Sequence, residues 1–202
     1  MTLVDEIVVK RLGTAEYLPT LEAMRQFTAA RDVATADELW ILQHPPVYTL
    51  GQAATHAPVA NGIPLVKADR GGDITYHGPG QAVVYTLVDL GRRGIRVKHF
   101  VWLLEQAVID LLDGRGERRP GAPGVYVAGA KVAALGIRVR QGRAYHGVSL
   151  NVDMDLGPFS TIDPCGFPGL AVTQLADLGV AGDWKAAGER LAHILKEKIA
   201  HA

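Results

Sequence analysis

A single cysteine occurs in the 202-residue chain, Cys165, within DPCGFPG (163–169). One Asp, two Pro and two Gly in seven residues describe a loop. A lone cysteine is most often a small buried hydrophobe, but one flanked by Pro and Gly in a loop is open to reaction. A thiol becomes a useful thiolate near neutral pH only beside an electropositive neighbour. Lys131, in AKVAALGIRV (130–139), is the candidate. Alternation puts it on the same side as Ala133, Leu135, Ile137 and Val139, so the lysine is expected against apolar neighbours. An amine held there is pushed toward its neutral form. It could exchange a proton with a thiol or stabilise developing negative charge. The structural alternatives are a strand-end lysine that carries its amine to water and a cysteine that merely packs. Spacing alone does not bring the two residues together.

A second stretch, RGGDITYHGPGQ (70–81), has four Gly in twelve residues and runs into the apolar AVVYTLVDL. Gly lets backbone approach a ligand closely, and a turn alone needs only one or two. Phosphate-binding loops are the usual use of such sequences, and two candidates fail. GVYVAGAK (124–131) has Ala130 between Gly and Lys, is followed by Val132 rather than Ser or Thr, and leads into a strand. GPG (78–80) lacks a third Gly and also leads into a strand. The seven His (44, 56, 77, 99, 146, 193 and 201) show no paired ligand spacing, and one Cys cannot anchor a thiolate zinc site. No metal or cofactor is therefore expected. His77 and His146 stand out because each lies near Gly in a strand-edge setting.

The elements that must position these residues follow from periodicity. Strands are expected at 6–12, 38–44, 47–51, 81–90, 124–127, 130–140 and 144–153. The segment 81–90 is apolar on both faces, as in a strand covered on two sides. Helices are expected at 16–32, 97–114 and 183–200. The second has Phe100, Leu103, Leu104, Ala107, Ile109 and Leu111 on its apolar face and Gly114 at its end. The third has Asp183 as N-cap and Trp184, Leu191, Ile194, Leu195 and Ile199 inward. This pattern predicts a single α/β (α+β) domain over 1–202 with a mixed or largely antiparallel sheet.

Composition sets the wider limits. With 21 basic and 21 acidic residues the formal charge is zero, so bulk charge does not favour a nucleic-acid partner. Three local basic clusters, 92–98, 115–119 and 138–143, together predict a basic face that would attract an acidic partner. Asp5 and Glu6 interrupt the apolar start, which argues against a signal peptide. No apolar run approaches a membrane span, and one Cys fits a reducing compartment, so a cytoplasmic location is expected.

Taken in order, HPPVYTLG (44–51), RGGDITYHGPGQ (70–81), AKVAALGIRV (130–139), HGVSLNV (146–152) and DPCG (163–166) resemble the octanoyl-[acyl-carrier-protein]–protein transferases of lipoate biosynthesis. The resemblance covers most of the chain. It implies the fold shared with the catalytic domains of biotin- and lipoate-protein ligases, a central mixed sheet flanked by helices. It also implies transfer of an octanoyl group from the thioester of octanoyl-acyl carrier protein to a lysine of lipoyl domains, in 2-oxoacid dehydrogenase and glycine cleavage proteins. By the same resemblance Cys165 carries the acyl group as a thioester, and Lys131 lowers the thiol's pKa and serves in proton transfer. Substrate contacts fall on Arg70, Gly71, Gly72, Asp73, Ile74, Thr75, Tyr76 and His77, on Ala134, Leu135 and Gly136, and on Gly147, Val148 and Ser149. The glycines at 71, 72, 78 and 80 are then expected to let backbone line a narrow acyl site. A thioester is already activated, so no ATP is implied.

Two other functions stay open at this point. An ATP-dependent lipoate–protein ligase would share the fold but would need no nucleophilic cysteine. A non-catalytic acyl-protein binding module would leave Cys165 structural. A cysteine hydrolase is a weaker third, since nothing marks a Cys–His–Asn arrangement.

Overall fold

A computed structural model describes residues 6–54, 61–162 and 170–202. Cys165 therefore lies outside the described residues. Six strands form the main sheet, in the order β1-β2-β6-β9-β8-β7: β1 (Ile7–Thr14), β2 (Asp37–Gln43), β6 (Gln81–Asp89), β9 (Arg143–Asn151), β8 (Ala130–Arg140) and β7 (Gly124–Val127). β1 and β2 are parallel and every other neighbouring pair is antiparallel, which makes the sheet mixed. A three-stranded sheet, β4-β3-β5, is built from β3 (Val47–Leu50), β4 (Leu65–Lys67) and β5 (Ile74–His77).

The α-helices among the described residues are α1 (Tyr17–Ala30), α2 (Leu90–Arg93), α3 (Val97–Leu111) and α4 (Trp184–Ala200). α4 starts where the Asp183 carboxylate accepts from the Ala186 N–H, and Asp89 caps α2 through Arg92 N–H. Among the described residues no helix is long and apolar enough to cross a membrane.

Strand β6 shows how the layers form. Ala82, Val84 and Val88 join the core beneath α3 and α4, with Phe100, Leu104, Leu191 and Leu195. Val83, Tyr85 and Leu87 point the other way and pack with Tyr17, Leu21 and Met24 of α1. The doubly apolar segment at 81–90 is thus a central strand covered on both faces.

The basic cluster at 92–98 does not behave as one exposed face. Asp37 is fully buried and accepts hydrogen bonds from Arg31, Arg92, Arg93 and the Asp89 N–H. Burial alone would raise its carboxyl pKa, but these donors outweigh burial and hold it below the usual range. Arg143 is likewise paired with Asp89. Arg92, Arg93 and Arg143 tie α2 and the β8–β9 hairpin to the sheet, so they do not form the acid-attracting surface that their clustering suggested.

Candidate active site

β8 supplies the central group. Lys131 is buried, its Nζ donates to Pro123 O at 3.3 Å, and it lies 5.2 Å from the centre of the Tyr126 ring. Its backbone is paired as well. Lys131 N–H donates to Ala171 O at 2.8 Å, and Thr173 N–H donates to Lys131 O at 2.9 Å. The chain that leaves the DPCGFPG segment is therefore laddered onto the catalytic candidate's own backbone. Gly124, at φ +144°, makes the space: a Cβ there would sit 2.7 Å from Ala133 O and 3.1 Å from Lys131 Cε. GVYVAGAK is thus a hairpin that seats a lysine, turning at Ala128-Gly129 with both residues at positive φ.

The expected alternation of Lys131 with Ala133 fails for a specific reason. Tyr126 pairs with Lys131 but Val125 pairs with Ala133, so Val132 is an extra residue, a β-bulge. One extra residue reverses the facing of everything before it. Val132 and Ala133 enter the α3/α4 core, whereas Lys131 lines a cavity with Ala134 and Gly136.

That cavity opens to solvent, and the space within its walls together with its open mouth amounts to about 720 Å³. Arg70, Gly72, Asp73, Ile74, Thr75 and His77 form one wall. Ala134, Leu135 and Gly136 form a second, and Gly147, Val148 and Ser149 a third. Two expected residues fall outside the lining. Gly71 borders an adjoining groove, and Tyr76 packs against Tyr48 and Phe159 in a small core of its own. The glycines also divide their labour. Gly72, at φ +79°, lines the cavity, but a Cβ on Gly78 would meet the Tyr76 hydroxyl at 2.3 Å and one on Gly80 would meet Asp153 O at 1.9 Å. Gly78 and Gly80 serve packing rather than the cavity.

Arg70 is buried and anchors the wall: its guanidinium donates to Thr49 O, Thr49 Oγ1 and Gly71 O. Sequence reasoning missed Tyr17, Gln81, Val83, Tyr85, Asn151, Phe159 and Val172, which also line the cavity. Tyr17 and Tyr85 read as core aromatics, and nothing in a single sequence separates an aromatic that packs from one that also faces a cavity. The Tyr17 hydroxyl is buried there and makes no hydrogen bond of normal geometry, so a bound polar group could satisfy it.

Three histidines gather at this wall. His77 Nδ1 is 2.7 Å from Gln81 Oε1, while Gln81 Nε2 donates to Tyr76 O and Asn151 Oδ1. That pattern puts the proton of neutral His77 on Nδ1 and leaves Nε2 as an acceptor. Burial holds His77 down at about 3, and the neighbouring His44 adds to this. His44 donates from Nδ1 to Ala15 O and accepts at Nε2 from the Tyr85 hydroxyl, and burial holds it at about 4. Burial also pushes Tyr17 up to about 12.

His146 is strained. It sits inside β9 at φ +63°, a conformation costly for a non-Gly residue. Thr86 Oγ1 donates to its carbonyl, and its Nε2 lies 2.8 Å from Asp69 Oδ1. Asp69 accepts in addition from Tyr145 and Arg25. Burial alone would raise the Asp69 pKa, but these three partners hold it far below the usual range. For His146, burial lowers the pKa and the Asp69 carboxylate opposes that only in part. His146, singled out by its Gly neighbour, thus belongs to the cavity wall. Among the described residues no His, Cys, Asp and Glu group could hold a metal ion.

The sequence matches the family described as Lipoyl protein ligase A/B catalytic domain over residues 16–195. The chain belongs to this family. It is 59% identical over 198 residues to an octanoyltransferase of Aromatoleum aromaticum, covering 96% of this chain and 86% of that one. It is 57% identical to an octanoyltransferase of Dechloromonas aromatica, covering 94% and 96% respectively. Among solved structures, lipoate-protein ligase A bound with ATP superposes with a TM-score of 0.77 at 16% identity, over 96% of this chain and 85% of that one. A biotin protein ligase of Aquifex aeolicus does so at 0.56 and 8% identity, over 96% and 70%. These structural likenesses bear on the fold, a mixed central sheet with flanking helices, as the family resemblance implied.

Proposed function

We infer that the protein is an acyltransferase of protein lipoylation, moving an octanoyl group from octanoyl-acyl carrier protein to a lysine amine of a lipoyl domain. The observation that carries this reading is the cavity itself. Three separated sequence stretches, 70–77, 134–136 and 147–149, converge on one apolar space with the buried Lys131 at its edge. The high identity to octanoyltransferases assigns the chemistry that such a space serves.

The reaction is two acyl transfers, a thioester exchange followed by aminolysis. The Cys165 thiol gives its proton to Lys131, and the thiolate attacks the carbonyl of the donor thioester. The C–S bond to the carrier breaks, and the carrier thiol leaves with the proton. The acceptor amine then attacks the Cys165 thioester, an amide forms, and Cys165 departs as thiolate while the amine's proton passes through Lys131. Pairing of Lys131 with Ala171 and Thr173 supports the assignment, because it fixes the chain that follows Cys165 beside the amine's own strand.

Intact mass after mixing with octanoyl-carrier protein tests the reading. The wild type should gain one octanoyl group without ATP, and Cys165→Ala should gain none and transfer none. Retained transfer by Cys165→Ala, or a strict ATP requirement, would defeat the covalent route.

A further inference from the structure

We propose that the donor carrier domain docks on the N-terminal half of α3, with its acyl-bearing arm lying in a groove that leads from there into the catalytic cavity. This rests on the acyltransferase reading above.

The groove is lined by Ala53, Gly71, Val101, Gly121, Pro123 and Ile137, and it shares Gly72, Asp73, Leu135 and Gly136 with the cavity. The two spaces therefore adjoin along these four residues. Small and apolar residues suit a long, slender, mostly aliphatic arm better than a globular element. An acceptor lysine, with a four-carbon stem, has less use for such a passage.

What borders the groove points to the partner. Val101 lines it, and at helical spacing Val97, Lys98 and Trp102 share that stripe of α3. Val97 is 46% exposed and Trp102 42% exposed, two large apolar side chains on the same stretch of the helix. Trp102 stacks on His99 with 11° between ring planes, and the Arg118 guanidinium lies 4.7 Å from the Trp102 ring. Tryptophan with a cation is a recurrent hot-spot composition. Arg119, exposed, lies 4.5 Å from the Tyr126 ring that Lys131 also contacts, so the basic rim reaches the catalytic lysine's own surroundings. Arg118 is itself ion-paired with Glu105, and Arg92, Arg93 and Arg143 are spent on Asp37 and Asp89, so Lys98 and Arg119 supply the exposed charge of the rim. An aromatic-and-basic rim at the mouth of an arm-sized groove fits an acidic domain that carries its acyl thioester on a flexible tether.

The test separates donor from acceptor and protein from arm. Trp102→Ala and Lys98→Glu, singly and together, are measured with octanoyl-carrier protein and with a small octanoyl thioester, following octanoyl mass on the enzyme without acceptor. Lys185→Glu on α4 serves as the charge control. Acylation by the carrier protein should fall in kcat/KM by about tenfold or more in the double variant, chiefly through KM. Acylation by the small thioester, and by the control with either donor, should stay within about twofold. High salt should mimic Lys98→Glu for the carrier donor alone. Equal losses with both donors would overturn the docking face. So would normal acylation combined with slow transfer from the acyl-enzyme to a lipoyl domain, which would assign the rim to the acceptor. Failure of the wild type to acquire octanoyl mass from either donor would reject the acyltransferase reading itself, and the docking face with it.

Discussion

The two faces of the main sheet are built from the same strands and have opposite characters. Beneath α3 and α4 the sheet meets aliphatic side chains such as Val84, Leu104, Leu191 and Leu195. On the α1 side, alternate residues of the same strands meet Tyr17, Tyr85 and the cavity, which His77 and His146 line with His44 behind His77, and burial lowers the pKa of all three rings. The difference teaches that pleating lets one strand contribute to stability with one side and to chemistry with the other. Damage to the two sides should therefore be separable.

The sharpest separation comes from Lys131→Met. It keeps an apolar stem in place and removes the amine, so transfer should fall by roughly 10²–10⁴-fold while the fold persists. Cys165 alkylation measured against pH should slow near neutrality in the variant, and an unchanged profile would make Lys131 a packing residue. On the other face, Leu104→Ala should cost about 2–5 kcal/mol in denaturant unfolding. The surviving folded enzyme should turn over normally, and a matching kinetic loss would mean that the faces are coupled.

Acid should act on the histidine face. His44 and His77 titrate at about 4 and about 3 in the folded chain, below their unfolded value of 6.5. Their contribution to stability is complete above pH 6.5 and is lost as pH falls from there toward 4 and 3. At pH 5 the loss should approach roughly 2 kcal/mol for each ring, since each pH unit is worth about 1.4 kcal/mol per group. Unfolding of wild type and His44→Gln at pH 7 and pH 5 checks this, as the variant should lose less on acidification.

The smallest expected effect belongs to Asp69→Asn. Losing the carboxylate that fixes His146 Nε2 should lower kcat by about tenfold with little change in KM, and Asp69→Glu should recover part of it. Imidazole nitrogen shifts of His146 should report a changed tautomer population. Unchanged shifts would leave Asp69 as a partner of Arg25 and Tyr145 only.

Much of the scaffold was legible because long elements carry long-range periodicity. β6, β8, α3 and α4 lie within a few residues of where alternation or helical spacing put them. β4 and β5 were not legible, being three and four residues long, with β5 enclosed by glycines that read as loop. The three stretches that form cavity walls were named only through the family resemblance of their motifs, not from periodicity. Tyr17 and Tyr85 were not legible, since facing a cavity depends on how α1 meets β6. Nor was the fate of Arg92 and Arg93, which depends on Asp37, more than fifty residues earlier.

The bulge makes the facing of Lys131 depend on Val132 staying outside the ladder. Replacing Val132 by another apolar residue would preserve the count and with it the facing of Lys131. Removing Val132 would restore an ideal ladder in which Lys131 still pairs with Tyr126 and still faces the cavity, whereas drawing Val132 into the ladder would turn the amine into the aliphatic layer. Register, rather than identity, is what β8 must inherit intact at that point.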